Sequence, residues 1–196
     1  MENIFTGAGV FLYPLALCSI LALFIIVERL TALRTRKILP KDLVDKFVTG
    51  EVLDLDGDHD SVGGRILFFY QLNRPDPDAL KAFASLETTR LERGMFILDI
   101  VVGAAPLLGL LGTVTGLIQV FAGIDAESGM PDPTLFMQGI ALALTTTMLG
   151  LAIAIPALVG NSYLTRRVDM LTAQINVGVE RMIDLAKTRA KADLKA

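Results

Sequence analysis

From Val101 to Thr165 the chain has no lysine and no arginine, although it carries 18 of them elsewhere in its 196 residues. A water-facing stretch of that length would not lack cations altogether, so an ordinary soluble domain is excluded, and the 53% hydrophobic content agrees. There is one cysteine, Cys18, which excludes a disulfide within the chain and, lying in an apolar run, reads as packing. There is one histidine, His59, so no histidine-based catalytic set exists, and nothing in the sequence points to an enzyme or a cofactor. The basic residues lack the aromatic interleaving of a nucleic-acid surface. The acidic cluster Asp54, Asp56, Asp58, His59 and Asp60 lacks the later glutamate and the glycine position of a calcium loop, so no metal site is expected there.

What the chain does have is three apolar runs, roughly Gly9 to Val27, Ile100 to Ile124 and Leu135 to Tyr163. Each meets the ~20 residues that cross a ~30 Å hydrocarbon core, which predicts an all-α integral membrane protein with three transmembrane helices. All 18 cations fall in 29–93 or 166–195. Because cytoplasmic flanks retain Lys and Arg, the N-terminus is expected outside and the C-terminus inside. No cation precedes the first run and no small-residue cleavage site follows it, so it is expected to be a retained span.

The organisation expected is a first span within 1–30, cytoplasmic helices and a loop over 31–78, a long helix over 79–124, an outer loop over 125–134, and a third span continuing as a cytoplasmic helix over 135–196. A short helix is predicted at Pro40 to Val48 and a loop at Asp54 to Asp60. Asp76 has the chemistry of an N-cap, with Pro77 in the first turn. From there one unbroken helix of about 45 residues is expected to run into the second span at ~1.5 Å per residue, with Pro106 as a site of kinking. Leu164, Val168, Leu171, Ile175, Val179, Met182 and Ala186 recur every three or four residues, which predicts an amphipathic continuation of the third helix.

Two sets of small and hydroxyl residues suggest a task. Gly109, Gly112 and Gly116 strip side chains from one side of the second span, the spacing that lets backbones approach in lipid, and they interlock with Thr113 and Thr115. The third span holds Thr145, Thr146 and Thr147, then Gly150 and Pro156. A helical threonine can return its hydroxyl to its own backbone, so any of these can be structurally silent. Three in a row nevertheless cover most of the circumference, so at least one must face protein or a cavity. With no charged residue in the core of this span, an ion crossing there must use hydroxyls, carbonyls or a carboxylate from another chain.

The segments from Ile97 to Phe121 and from Gly139 to Ala157, with Asn161, resemble the MotA/TolQ/ExbB proton channel family, nearest to its three-span TolQ and ExbB branch. The resemblance covers roughly Leu86 to Arg167 and, more weakly, the first span with its exit pair Glu28-Arg29. It implies a homopentameric ring in a bacterial inner membrane around two single-span partners of the ExbD/TolR type. The partner would supply a membrane aspartate and the ring would supply threonines, mapped by motif to Thr113 and Thr147. Such a complex would use proton flow to transmit work to periplasmic or outer-membrane partners.

The sequence departs from this pattern at two places. Leu142 stands where many TolQ and ExbB sequences have a glutamate, which keeps open the alternative of a non-conducting pentameric scaffold anchoring a single-span partner. Asp99, one turn inside the second span, stands where a small or apolar residue is usual. It reads either as a proton exit site, alongside Thr113, Thr146 and Thr147, or as a headgroup-depth carboxylate that is solvated or paired to Arg90 or Arg93. Glu28-Arg29 reads as an interface pair or a relay. Asp125, Glu127 and Asp132 read as a solvated loop or a cation-concentrating mouth.

Overall fold

A computed structural model describes residues 9–33, 38, 61–124 and 132–193, with side chains to 188. The expected helix at 40–48, the acidic cluster at 54–60 and the acids Asp125 and Glu127 lie outside the described residues. Among the described residues there are five α-helices, in chain order α1 (Leu12–Ala32), α2 (Val62–Asn73), α3 (Pro77–Thr89), α4 (Met95–Ala122) and α5 (Pro133–Asp193). Three of them, α1, α4 and α5, are long and apolar enough to cross a membrane. Contacts divide the chain into two units, one of residues 1–27 and 94–162, the other of 28–93 and 163–196.

The first, apolar unit is built on a seam between α4 and α5. Glycine is required along it because the backbones touch. A Cβ on Gly150 would stand 2.6 Å from the Ala105 carbonyl oxygen, and one on Gly109 would stand 2.9 Å from that of Thr146. A Cβ on Gly112 would collide with the Thr146 hydroxyl, and one on Gly116 with the Gly139 carbonyl. In lipid, where burial of apolar surface drives nothing, such close van der Waals contact is what holds helices together. Helix α1 packs through Leu15 against Ala105 and Ala154, with Phe11, Cys18, Leu108, Leu149 and Ile153 around them. Further along, Ile26 covers Gly160. The outer faces carry exposed Leu17, Ile20, Phe24, Leu107, Leu111, Ile118, Met148 and Ile155, as a helix set in hydrocarbon requires. Pro106 and Pro156 both lie inside continuous helices.

The second unit contains α2, α3 and residues 163–193 of α5. Ser61 caps α2 by accepting from Gly64 N at 3.0 Å, and Arg74 ends it in a left-handed conformation (φ 41°). Asp76 caps α3 as its sequence predicts, accepting from Ala79 N at 2.9 Å with Pro77 in the first turn. Phe69 and Phe83 stack with centroids 4.2 Å apart. On α5, Leu164, Val168, Leu171, Ile175, Val179 and Met182 are all buried and Ala186 is half-buried, so the amphipathic stripe read from the sequence is the face that packs. At the surface Lys81 contacts Glu180 at 2.7 Å, and hydrogen bonding to that carboxylate raises the ammonium above its usual range.

The expected unbroken helix from Asp76 into the second span is corrected. Helix α3 ends at Thr89, a 3₁₀ turn covers Arg90–Glu92, and Gly94 at φ 84° precedes the start of α4. That left-handed backbone is open to glycine without a Cβ penalty, so Gly94 is the residue that permits the break. Helix α2 is an element that the sequence pattern does not announce, because Gly63-Gly64 in its first turn mask a helical period.

Candidate functional site

Each residue turns an α-helix by about 100°, so the seam glycines fix where the neighbouring hydroxyls lie. On α4 the face toward α5 is Ala105, Gly109, Gly112 and Gly116, and Thr113 is displaced to one edge of it. On α5 the facing set is Gly139, Ala143, Thr146 and Gly150, and Thr147 is displaced to one edge. The helices run antiparallel, so an equal turn in the same sense on each brings Thr113 and Thr147 to the same edge of the seam. The Thr147 hydroxyl reaches across to donate to Gly109 O at 3.4 Å, and also lies 3.2 Å from Ala143 O of its own helix.

The residues of α4 and α5 that α1 packs against, Leu108, Leu149 and Ile153, are displaced to the opposite edge. The first span therefore closes one side of the seam and leaves uncovered the side that carries Thr113 and Thr147. Both are half-buried. The Thr113 hydroxyl donates to Leu110 O at 2.6 Å, and that of Thr115 to Leu111 O at 2.9 Å.

Thr146 is placed differently from the other two hydroxyls expected on an ion path. It is 0% exposed, it lies against Gly112, and its hydroxyl is satisfied by Leu142 O at 2.8 Å and Ala143 O at 3.1 Å. Within the subunit this is packing, with the hydroxyl turned back on its own helix. Leu142 is buried beside Gly9.

Asp99 lies on the same uncovered edge as Thr113 and Thr147. Its partner is Asn161 on α5, whose Nδ2 donates to Asp99 Oδ1 at 2.5 Å. Arg90, one of the two arginines that the sequence offered as partners for Asp99, donates from Nη1 to Glu87 Oε1 at 2.6 Å. Asn161 Oδ1 is buried without a donor. At the other end of the seam Asp132 is a cap, accepting through Oδ1 from Thr134 N at 2.7 Å. Glu28 and Arg29 are in contact, with Oε2 and Nε 2.8 Å apart.

Sequence reasoning missed the strongest polar cluster of the second unit. Glu87, its side chain 2% exposed, takes Arg65 on one oxygen (Nε at 2.8 Å, Nη2 at 2.6 Å) and Arg90 on the other. No local spacing links Arg65 to Glu87; only the α2–α3 turn brings them together. Among the described residues no group of histidines, cysteines and carboxylates has the arrangement of a metal site.

A family model described as the MotA/TolQ/ExbB proton channel family matches residues 71–177, more than half of the chain. The chain is 36% identical over 169 residues to a protein of Synechocystis sp. whose name likens it to the biopolymer transport protein ExbB, covering 79% of the chain and 66% of the relative, just under two thirds of its length. It is 34% identical over 115 residues to the biopolymer transport protein ExbB of Helicobacter pylori, covering 58% of the chain and 74% of the relative. It is 30% identical over 178 residues to the Tol-Pal system protein TolQ of Haemophilus influenzae, covering 78% and 77%. With a glycine seam between two membrane-length helices, a third such helix closing one side of it and threonines along the other, this multi-pass inner-membrane protein belongs to the MotA/TolQ/ExbB proton channel family.

Proposed function

We propose that the chain is the ring-forming subunit of a proton-conducting complex driven by the protonmotive force, of the ExbB and TolQ kind. Five copies surround a dimer of an ExbD/TolR-like single-span protein that carries a membrane aspartate, with the N-terminus periplasmic and the cation-rich 29–93 and 166–195 segments cytoplasmic. The observation that carries this reading is the shared edge: Thr113 and Thr147 flank the seam on the side that α1 leaves open. Turned toward the centre of a ring, that edge presents hydroxyls at mid-membrane depth, where the partner carboxylate gains and loses its proton. An ion crossing releases about 2.3 kcal/mol per 100 mV, which the complex passes to periplasmic or outer-membrane partners as relative movement of ring and core.

The test is proton flux into liposomes carrying the chain with its partner. Loss of a hydrogen bond worth about 1 to 1.5 kcal/mol in the rate-limiting state corresponds to about a tenfold slowing. Thr147→Ala and Thr113→Ala are expected to slow flux to that degree while the complex stays assembled, and Thr→Ser at either position to restore most of it. Unchanged flux in both alanine variants would remove these hydroxyls from the path. A second reading, the non-conducting scaffold, draws on Leu142, since the apolar part of α5 then has no carboxylate of its own. An intact complex passing no protons under an imposed gradient favours it.

A further inference from the structure

Asn161 is an amide with one half of its chemistry in use. Its Nδ2 donates to Asp99, but its Oδ1 is buried and accepts nothing. A carboxylate has no hydrogen to offer that oxygen, whereas a carboxylic acid does. We infer that Asp99 and Asn161 form a proton-holding pair at one end of the α4–α5 seam: the neutral acid donates its O–H to Asn161 Oδ1 while Asn161 Nδ2 continues to donate to Asp99 Oδ1.

The step balances simply. A hydronium ion in the passage gives its proton to the free oxygen of the Asp99 carboxylate and leaves as water; the O–H so formed takes up the vacant Asn161 acceptor, and release to water on the other side reverses both events. The amide serves each state, with one bond to the charged form and two to the neutral form, which is what a station that must both load and unload requires. Asn161 is here a positioning residue.

The surroundings suit this. The described residues of the apolar unit hold two carboxylates, Asp99 and Asp132, and no cation. Asp132 is spent on capping the far end of α5. The other titratable groups, Tyr13 and Cys18, belong to α1, which packs on the opposite edge. Thr147 is level with Gly109, ten residues along α4 and so about 15 Å from Asp99 on the same edge.

The purpose assigned to the pair rests on the proposed conduction, but its protonation is read without flux. Infrared difference spectra between acidic and alkaline pH, taken on the full chain in lipid vesicles, are expected to show the C=O band of a protonated carboxyl. That band should disappear in Asp99→Asn, move to higher frequency in Asn161→Leu where its hydrogen bonds are lost, and stay in place in Thr147→Ala. The Asn161 side-chain amide resonances of the unsubstituted chain should titrate together with the band and stop titrating in Asp99→Asn, a readout that does not depend on how Asn161→Leu folds. No Asp99-dependent band, or Asn161 resonances indifferent to pH, overturns the inference. A band that responds to sodium against choline at constant pH also overturns it, making the pair a metal-cation site. If the band behaves as expected while the intact complex passes no protons, the conduction reading fails and the pair stands. Flux without the band means the opposite: conduction stands and the pair fails.

Discussion

Gly116 is where the α4–α5 seam is least able to yield. A methyl group there would overlap the Gly139 carbonyl and lie 3.0 Å from Ala143 N and 3.1 Å from Ala143 Cβ, all of them backbone or backbone-attached atoms without a rotamer to escape through. A carbon normally stands about 3.3 Å or more from an oxygen, so Gly116→Ala must push the helices apart. The seam is stiff, and a gap opened at this level loosens Gly112 against Thr146 and Gly109 against Thr147. A separation of about 0.5 to 1 Å already forfeits a quarter to a half of each dispersion contact.

Overpacking of this kind costs about 1–3 kcal/mol, against about 0.4–1 kcal/mol returned because alanine restricts the unfolded chain. The net expectation for Gly116→Ala is a loss of roughly 1–2 kcal/mol. Gly103 is the control, since it lies in the same helix and a Cβ there meets nothing within 4 Å. Gly103→Ala is expected to be neutral or to gain up to about 1 kcal/mol. Denaturant unfolding of the full chain in mild detergent, followed by circular dichroism, separates the two variants by about 2 kcal/mol if the seam is as described. Gly116→Ala equal to or more stable than Gly103→Ala would mean that the backbones do not touch there.

Two further outcomes concern the second unit. Arg65→Ala leaves the buried Glu87 carboxylate with one guanidinium in place of two and is expected to destabilise by about 3 kcal/mol, the order of cost for breaking a buried pair. Arg90→Ala should cost less, because Arg90 makes one bond to Glu87 against two from Arg65 and its side chain is 59% exposed; thermal unfolding that ranks them the other way refutes the ordering. Gly94→Ala places a Cβ on a left-handed backbone and should lower stability by about 1–2 kcal/mol, whereas a variant as stable as the parent in the same assay would show that α3 and α4 join as one helix after all.

Much of the architecture was legible in the residues because the bilayer imposes a length and a composition on whatever crosses it. The three spans, the Asp76 cap and the packed stripe from Leu164 to Met182 each follow from a local rule: apolar length, side-chain oxygen at a helix start, a recurrence of three or four. The break at Gly94 was visible only as a glycine. Helical propensity tolerates glycine at a modest cost, and whether the backbone there turns left-handed is decided by what the flanking helices pack against.

The sequence by itself determined that three helices cross a membrane, that small residues let two of them touch, and that hydroxyls lie within the apolar runs, since each of these depends on residues close in the chain. Tertiary structure alone decided which edge of the seam α1 covers, that Thr146 is buried in packing while Thr113 and Thr147 share the open edge, that Asp99 meets Asn161, and that Arg65 finds Glu87. The physical reason is that these relations join residues tens of positions apart. They are fixed by the rotation of one helix against another, and no local pattern encodes that rotation.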